Sequence, residues 1–83
     1  MLVIVSYDIV SDRRRNRVHN RLKDYGERVQ YSVFECRLKP AELAVLRKEL
    51  SALVSARTDR VRYYQLCENC QARTISCGPP PEH

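Results

Sequence analysis

The sequence has no apolar run approaching the ~18 residues of a membrane-spanning helix and no internal repeat, so neither a helical membrane protein nor a solenoid is expected. Histidine is scarce, with only His19 and His83 in 83 residues, and lysine supplies three of the 15 basic residues against twelve arginines. The N-terminal run Met1-Leu2-Val3-Ile4-Val5 has no basic leader and stops at Asp8 without a small-residue cleavage site. It therefore does not read as a signal peptide, and a cytoplasmic protein with no membrane partner is expected. In that compartment the four cysteines (Cys36, Cys67, Cys70 and Cys77) are not expected to form a disulfide framework.

The size is equally restrictive. Area scaling gives a folded surface of roughly 5,100 Å² against roughly 14,000 Å² unfolded, so folding buries about 64% of the surface. That supports one modest core and no second domain, and dimerisation is a natural way to bury more. With 43% apolar and 30% charged residues the chain is globular rather than disordered. A net charge of +5 carried by arginine points towards nucleic acid, because the guanidinium fork matches phosphate geometry.

Leu2 to Tyr7 is a continuous apolar run rich in β-branched residues and predicts a buried strand that ends at Asp8. Ser11 or Asp12 can cap a following helix, expected to run to about Tyr25 with Gly26 as its C′ residue. Val18, Leu22 and Tyr25 form its narrow apolar stripe. Six basic residues against Asp12 and Asp24 leave +4 on this one element. Residues 28 to 38 alternate in a pattern whose phase changes near Ser32-Val33, which predicts two short strands joined by a tight turn or bulge. Pro40 suits the first turn of a second helix, and Leu43, Leu46, Leu50, Leu53 and Val54 keep helical spacing. Ser55 to Asp59 reads as a loop and Val61 to Cys67 as a strand, with Val61 and Tyr63 on one face. Arg73 to Cys77 could add a short final strand, and residues 79 to 83 are expected to form a flexible Pro-rich tail after a single domain of residues 1–78. The order β-α-β-β-α-β is that of a ferredoxin-like α+β sandwich, one antiparallel sheet covered on one face by two helices.

Strand ends in such units are where ligands bind, which singles out Asp8. A carboxylate beside Arg13, Arg15 and Arg17 suits a hard divalent cation together with a phosphate. One carboxylate is a poor metal site, and the same Asp8 from a second copy would supply the next ligand. The competing reading of Asp8 is a helix cap. Arg15 and Arg17 are two apart on a helix and so point in different directions. His19, on a basic helix face, is expected to face solvent, so any hydrolysis would use metal-bound water rather than a histidine.

Val5-Ser6-Tyr7-Asp8-Ile9, Arg15-Asn16-Arg17 and Arg28-Val29-Gln30-Tyr31-Ser32-Val33-Phe34-Glu35 resemble the CRISPR-associated protein two family, the small partner of the spacer-acquisition integrase. The resemblance covers residues 1 to about 66. It implies a ferredoxin-like homodimer that brings two copies of Asp8 together, and a Mg²⁺- or Mn²⁺-dependent nuclease acting on single-stranded RNA or double-stranded DNA. It equally implies a non-catalytic dimer that holds duplex DNA and bridges integrase subunits. A toxin-like RNA nuclease on the same fold is a third reading. Family positions fall on Tyr7 and Asp8 (catalysis, with Asp8 as metal ligand), on Arg15, Arg17 and Arg28 (nucleic acid, with Arg13 nearby) and on Phe34. For Phe34, core or dimer packing is expected ahead of base stacking. The Cys67-Glu68-Asn69-Cys70 stretch with Cys77 and His83 has the ligand types of a zinc site without its spacing, so zinc is not expected. Free thiols are the default there, with a disulfide as the alternative in a hyperthermophile.

Overall fold

The computed structural model describes residues 1–66. Its elements run β1 (Leu2–Asp8), α1 (Asp12–Leu22), β2 (Gly26–Gln30), β3 (Val33–Arg37), α2 (Pro40–Leu53) and β4 (Arg60–Leu66). The four strands form one sheet in the order β2-β3-β1-β4, with every neighbouring pair antiparallel. This is the expected ferredoxin-like arrangement. The strand expected at Arg73–Cys77, the Pro-rich stretch of residues 79–83 and the cysteines at 67, 70 and 77 lie outside the described residues.

The period-two alternation of β1 decides what faces what. Val3, Val5 and Tyr7 point to the helices and join Phe34, Cys36, Val18, Leu22, Leu43, Leu46 and Leu50 in the core. Burying each large apolar side chain stabilises the fold by about 1.5–3 kcal/mol before conformational entropy is subtracted. Leu43, Leu46 and Leu50 are the inward stripe of α2, as their spacing predicts, and Leu53 and Val54 pack partly buried against its end. Pro40 opens that helix, and Glu42 accepts a hydrogen bond from the Lys39 N–H (2.8 Å), which closes its N-terminus. Ser11 caps α1 by accepting from the Arg14 N–H (3.3 Å).

Two expectations change. Helix α1 ends at Leu22, not near Tyr25, because Asp24 and Tyr25 turn their N–H groups back to Arg21 and Leu22 (3.2 and 2.9 Å). Gly26 is therefore no helix C′ residue. It opens β2 opposite Cys36, and a Cβ there would meet the Glu35 carbonyl oxygen at 2.2 Å. Gly26 is required by close backbone approach rather than by a left-handed conformation. The hairpin from β2 to β3 turns at Tyr31-Ser32, where the phase change is expected, and a separate register shift lies within β2, between Arg28 and Gln30.

The sequence pattern did not flag Asp59 in the α2–β4 loop. It is the one buried acidic residue among the described residues, 7% exposed. Its carboxylate accepts from the Val10 N–H (3.2 Å), the Ser55 N–H (2.8 Å), the Thr58 hydroxyl (3.2 Å) and the Arg14 guanidinium (2.7 Å). These bonds hold its pKa well below the ordinary carboxylate range, the Arg14 bond contributing most. Asp59 thus ties the segment that leaves β1 to the segment that enters β4, the two edges of the Asp8 site.

Candidate active site

Asp8 is the last residue of β1, and it lies on the helix-free face of the sheet with Ser6. In register it stands opposite Arg60, and Ser6 stands opposite Arg62. Ser6, Tyr7, Asp8, Arg60, Arg62 and Tyr64 line one cavity of about 290 Å³. Asp8 is exposed, and its carboxylate makes no hydrogen bond or ion pair among the described residues. The helix-cap reading of Asp8 is thereby replaced, since Ser11 does that work.

Tyr7 takes the opposite course. It is 4% exposed and packs in the core beside Phe34, with ring centroids 6.3 Å apart. Its hydroxyl reaches back to the Tyr31 carbonyl at 3.5 Å, and burial pushes the phenol pKa up. Within one chain, Tyr7 and Asp8 thus point to opposite faces of the sheet. Phe34 is fully buried, in agreement with a packing role. His19 is half-buried rather than solvent-facing, its ring edge-on to Phe34 at 5.4 Å. Burial, then Arg28 and Lys23, lower its pKa.

The arginines of α1 divide by direction. Arg14 is committed to Asp59. Arg15 pairs with Asp12 (2.7 Å) and donates to the Ile9 carbonyl (3.4 Å), on the side of the helix that faces Tyr31. Arg13 and Arg17 are exposed on the helix layer, Arg17 in a separate groove with Asn20 and Asp24. Arg28 stands opposite Phe34 on β2, exposed at the edge of the helix layer near His19. The structure therefore does not gather these basic residues around Asp8. It places Arg60 and Arg62 there instead. Sequence reasoning missed both, although strand alternation opposite to Val61 and Tyr63 carries the signal.

Among the described residues no three of His, Cys, Asp and Glu converge on one point. A single unpaired carboxylate still fits Mg²⁺ or Mn²⁺, which take one or two carboxylates and complete their shell with water and substrate phosphate. Among the described residues no helix is long and apolar enough to cross a membrane.

Fold and site together define a small ferredoxin-like protein with an exposed carboxylate, Asp8, beside Arg60 and Arg62 on its helix-free sheet face. Residues 1–74 match the family described as CRISPR associated protein Cas2. The chain is 44% identical over 85 residues to a CRISPR-associated endoribonuclease Cas2 of Chloroflexus aurantiacus, covering 99% of this chain and 91% of that protein. It is 42% identical over 79 residues to one of Rhodospirillum rubrum, covering 95% of this chain and 64% of that longer protein. The crystal structure of Streptococcus pyogenes Cas2 superposes with a TM-score of 0.82 at 37% identity, over 94% of this chain and all of that one. The chain belongs to the CRISPR-associated Cas2 family.

Proposed function

We propose that two copies of this chain form a metal-dependent nuclease of CRISPR spacer acquisition inside the cell, cleaving phosphodiester bonds in single-stranded RNA or in double-stranded DNA. The carrying observation is Asp8, an exposed carboxylate with no partner among the described residues, at the end of a buried strand and flanked by Arg60 and Arg62. Left as a structural residue, such a carboxylate would be expected to pair with the arginine opposite it. Family membership and the endoribonuclease names of the relatives support the same reading.

In this reading, Asp8 from each copy would hold Mg²⁺ or Mn²⁺. When bound, that ion supplies charge neutralisation at the phosphate and a source of hydroxide at neutral pH. The chain's own residues do the rest. Asp59 and Arg14 hold the segment that leaves β1 after Asp8 against the segment that enters β4, and the neighbouring guanidiniums would hold phosphate in place.

One observation favours a second reading for a different surface. Arg13 and Arg17 face outward on the helix layer, away from the face that carries Asp8. A dimer gripping duplex DNA through this layer would act as a non-catalytic adaptor between subunits of the CRISPR integrase.

Asp8→Ala separates the two. The nuclease reading expects metal-dependent cleavage to fall by at least about 100-fold, because several kcal/mol of charge stabilisation leave with the ion. It also expects spacer acquisition to fail. Acquisition that survives the loss of cleavage establishes the adaptor reading. Wild-type protein without metal-dependent cleavage of either substrate ends the nuclease reading.

A further inference from the structure

No side chain of its own chain, among the described residues, steers the Asp8 carboxylate. Its direction is set by the backbone that carries it. On one side that backbone is the β1 ladder, where Tyr7 and Asp8 stand opposite Val61 and Arg60. On the other side the ladder has ended, and the next free peptide unit joins Ile9 to Val10. That unit is gripped at both ends. Its carbonyl oxygen, on Ile9, accepts from Arg15 Nε and Nη2, both at 3.4 Å. Its N–H, on Val10, donates to Asp59 Oδ1 at 3.2 Å. The two gripping side chains come from α1 and from the loop before β4, and each is anchored in turn. Arg15 Nη2 pairs with Asp12 at 2.7 Å, while Asp59 accepts from Arg14, Ser55 and Thr58. The Ile9 side chain is itself buried.

We infer that Arg15 and Asp59 are positioning residues that clamp the Ile9–Val10 peptide from opposite sides and so hold Asp8 in place, and that Arg15 is engaged in this clamp rather than on phosphate. What the clamp does for Asp8 rests on the nuclease reading; the clamp itself does not. The C=O and N–H of a trans peptide point in opposite directions. A hydrogen bond at one end alone leaves the plane free to tilt, whereas bonds at both ends fix it. A functional carboxylate is only as well placed as the groups that support it, and a misplacement of about 1 Å can cost about 100-fold in rate. Arg15 has little left to offer a ligand. Its fork already spans the Ile9 carbonyl and Asp12, and its side chain is 27% exposed, while Arg13 and Arg17 on the same helix are exposed.

The test compares the full chain with its Arg15→Ala, Arg15→Lys and Asp59→Asn variants by three measurements. These are single-turnover cleavage of a fluorescent single-stranded RNA and of a DNA duplex with Mn²⁺, binding of the same two probes in EDTA across a salt series, and hydrogen exchange at the Val10 and Val5 amides. Arg15→Ala is expected to lower the maximal cleavage rate by about 10–100-fold. The protein concentration at half-maximal rate, the affinity in EDTA and the salt slope should stay as in wild type. Val10 should exchange about 3–10-fold faster, the worth of one hydrogen bond, while Val5 in the middle of β1 is unchanged. Arg15→Lys keeps the charge but its single ammonium cannot span Asp12 and the Ile9 carbonyl, so its cleavage should fall too, with binding intact. Asp59 accepts from Val10 on Oδ1 and from Ser55 on Oδ2, so the amide of Asp59→Asn loses one of the two and should show the same pattern.

A salt slope lowered in Arg15→Ala by about 0.7–0.9, the increment for one lost phosphate contact, makes Arg15 a nucleic-acid contact and overturns the inference. So does wild-type exchange at Val10 in that variant, or exchange that accelerates equally at Val10 and Val5, which is general loosening of the fold. The Arg15 variants carry the test even where Asp59→Asn does not fold, because Arg15 lies outside the core. The two failures are separable. If Asp8→Asn leaves cleavage intact, the nuclease reading falls, and Val10 exchange together with the salt slope of Arg15→Ala still decides for or against the clamp.

Discussion

Replacing Gly26 by alanine adds one methyl group at the start of β2, and its surroundings set the sign of the effect. A glycine inside a strand is a weakness, because it leaves the unfolded chain more freedom. Exchange for alanine at a tolerant site is worth about 0.4–1 kcal/mol of added stability. Here the new Cβ would lie 2.2 Å from the Glu35 carbonyl oxygen, 2.7 Å from the Cys36 Sγ and 2.8 Å from the Cys36 Cα. Two of these three atoms belong to the backbone of β3. That strand is held between β2 and β1, and Cys36 is fully buried, so β3 has no room to retreat. The edge strand β2 must move by about 1 Å to restore ordinary contact distance. The cost is about 1–3 kcal/mol of overpacking, together with about 1 kcal/mol for a weakened ladder hydrogen bond. The clash outweighs the entropy gain and leaves a net loss of about 2–3 kcal/mol.

A domain of this length has about 4–12 kcal/mol of stability in total, and 1 kcal/mol moves the melting temperature by about 4–8 °C. Gly26→Ala should therefore melt about 10–20 °C below wild type by circular dichroism at matched protein concentration. Amide exchange should accelerate first in residues 26–30, because β2 touches the sheet only through β3. Cys36→Ala introduced alongside removes the 2.7 Å contact but neither backbone contact, so it should not rescue the variant. A Gly26→Ala protein that melts at or above the wild-type temperature would refute the close-approach argument.

Other consequences concern titrating groups. The Cys36 thiol is pushed up to about 11, mainly by burial and then by Glu35. In a variant whose other three cysteines are serine, a thiol reagent at pH 8 should react with Cys36 only as fast as the chain unfolds; prompt stoichiometric reaction would contradict its burial. The pKa of Asp59 is depressed in the fold, first by the Arg14 bond. Its contribution to stability is thus fully present above the unfolded value of about 3.9 and is lost as pH falls below it towards the folded value. Asp59→Asn should be less stable than wild type at pH 7, with the gap closing as the pH drops below about 4; a gap independent of pH would show that the charge is immaterial.

What the sequence made legible was whatever local periodicity encodes. Strand β1, the inward leucines of α2, the hairpin at Tyr31-Ser32 and the order of the sandwich all follow from alternation, from 3.6-residue spacing and from Pro40. The site was legible only where one residue type at one strand end suffices, which is Asp8. Its surroundings depend on facts that no window contains. Arg14 is one of three consecutive arginines, and only helical phase marks it out, four residues before the buried Val18 on the inward side. Its partner Asp59 lies 45 residues away and looked like loop. The family resemblance sets Tyr7 with Asp8, yet adjacency in a strand puts side chains on opposite faces. The same rule read across the sheet puts Arg60, Arg62 and Tyr64 on the face of Asp8. Applying it required the pairing register of β1 with β4, which Asp59 helps to set by joining the ends of both strands. The charge that matters at Asp8 is therefore not the conspicuous cluster on α1, which is divided between a buried ion pair and the outer helix layer. It is the inconspicuous pair on β4, placed there by pleat and register.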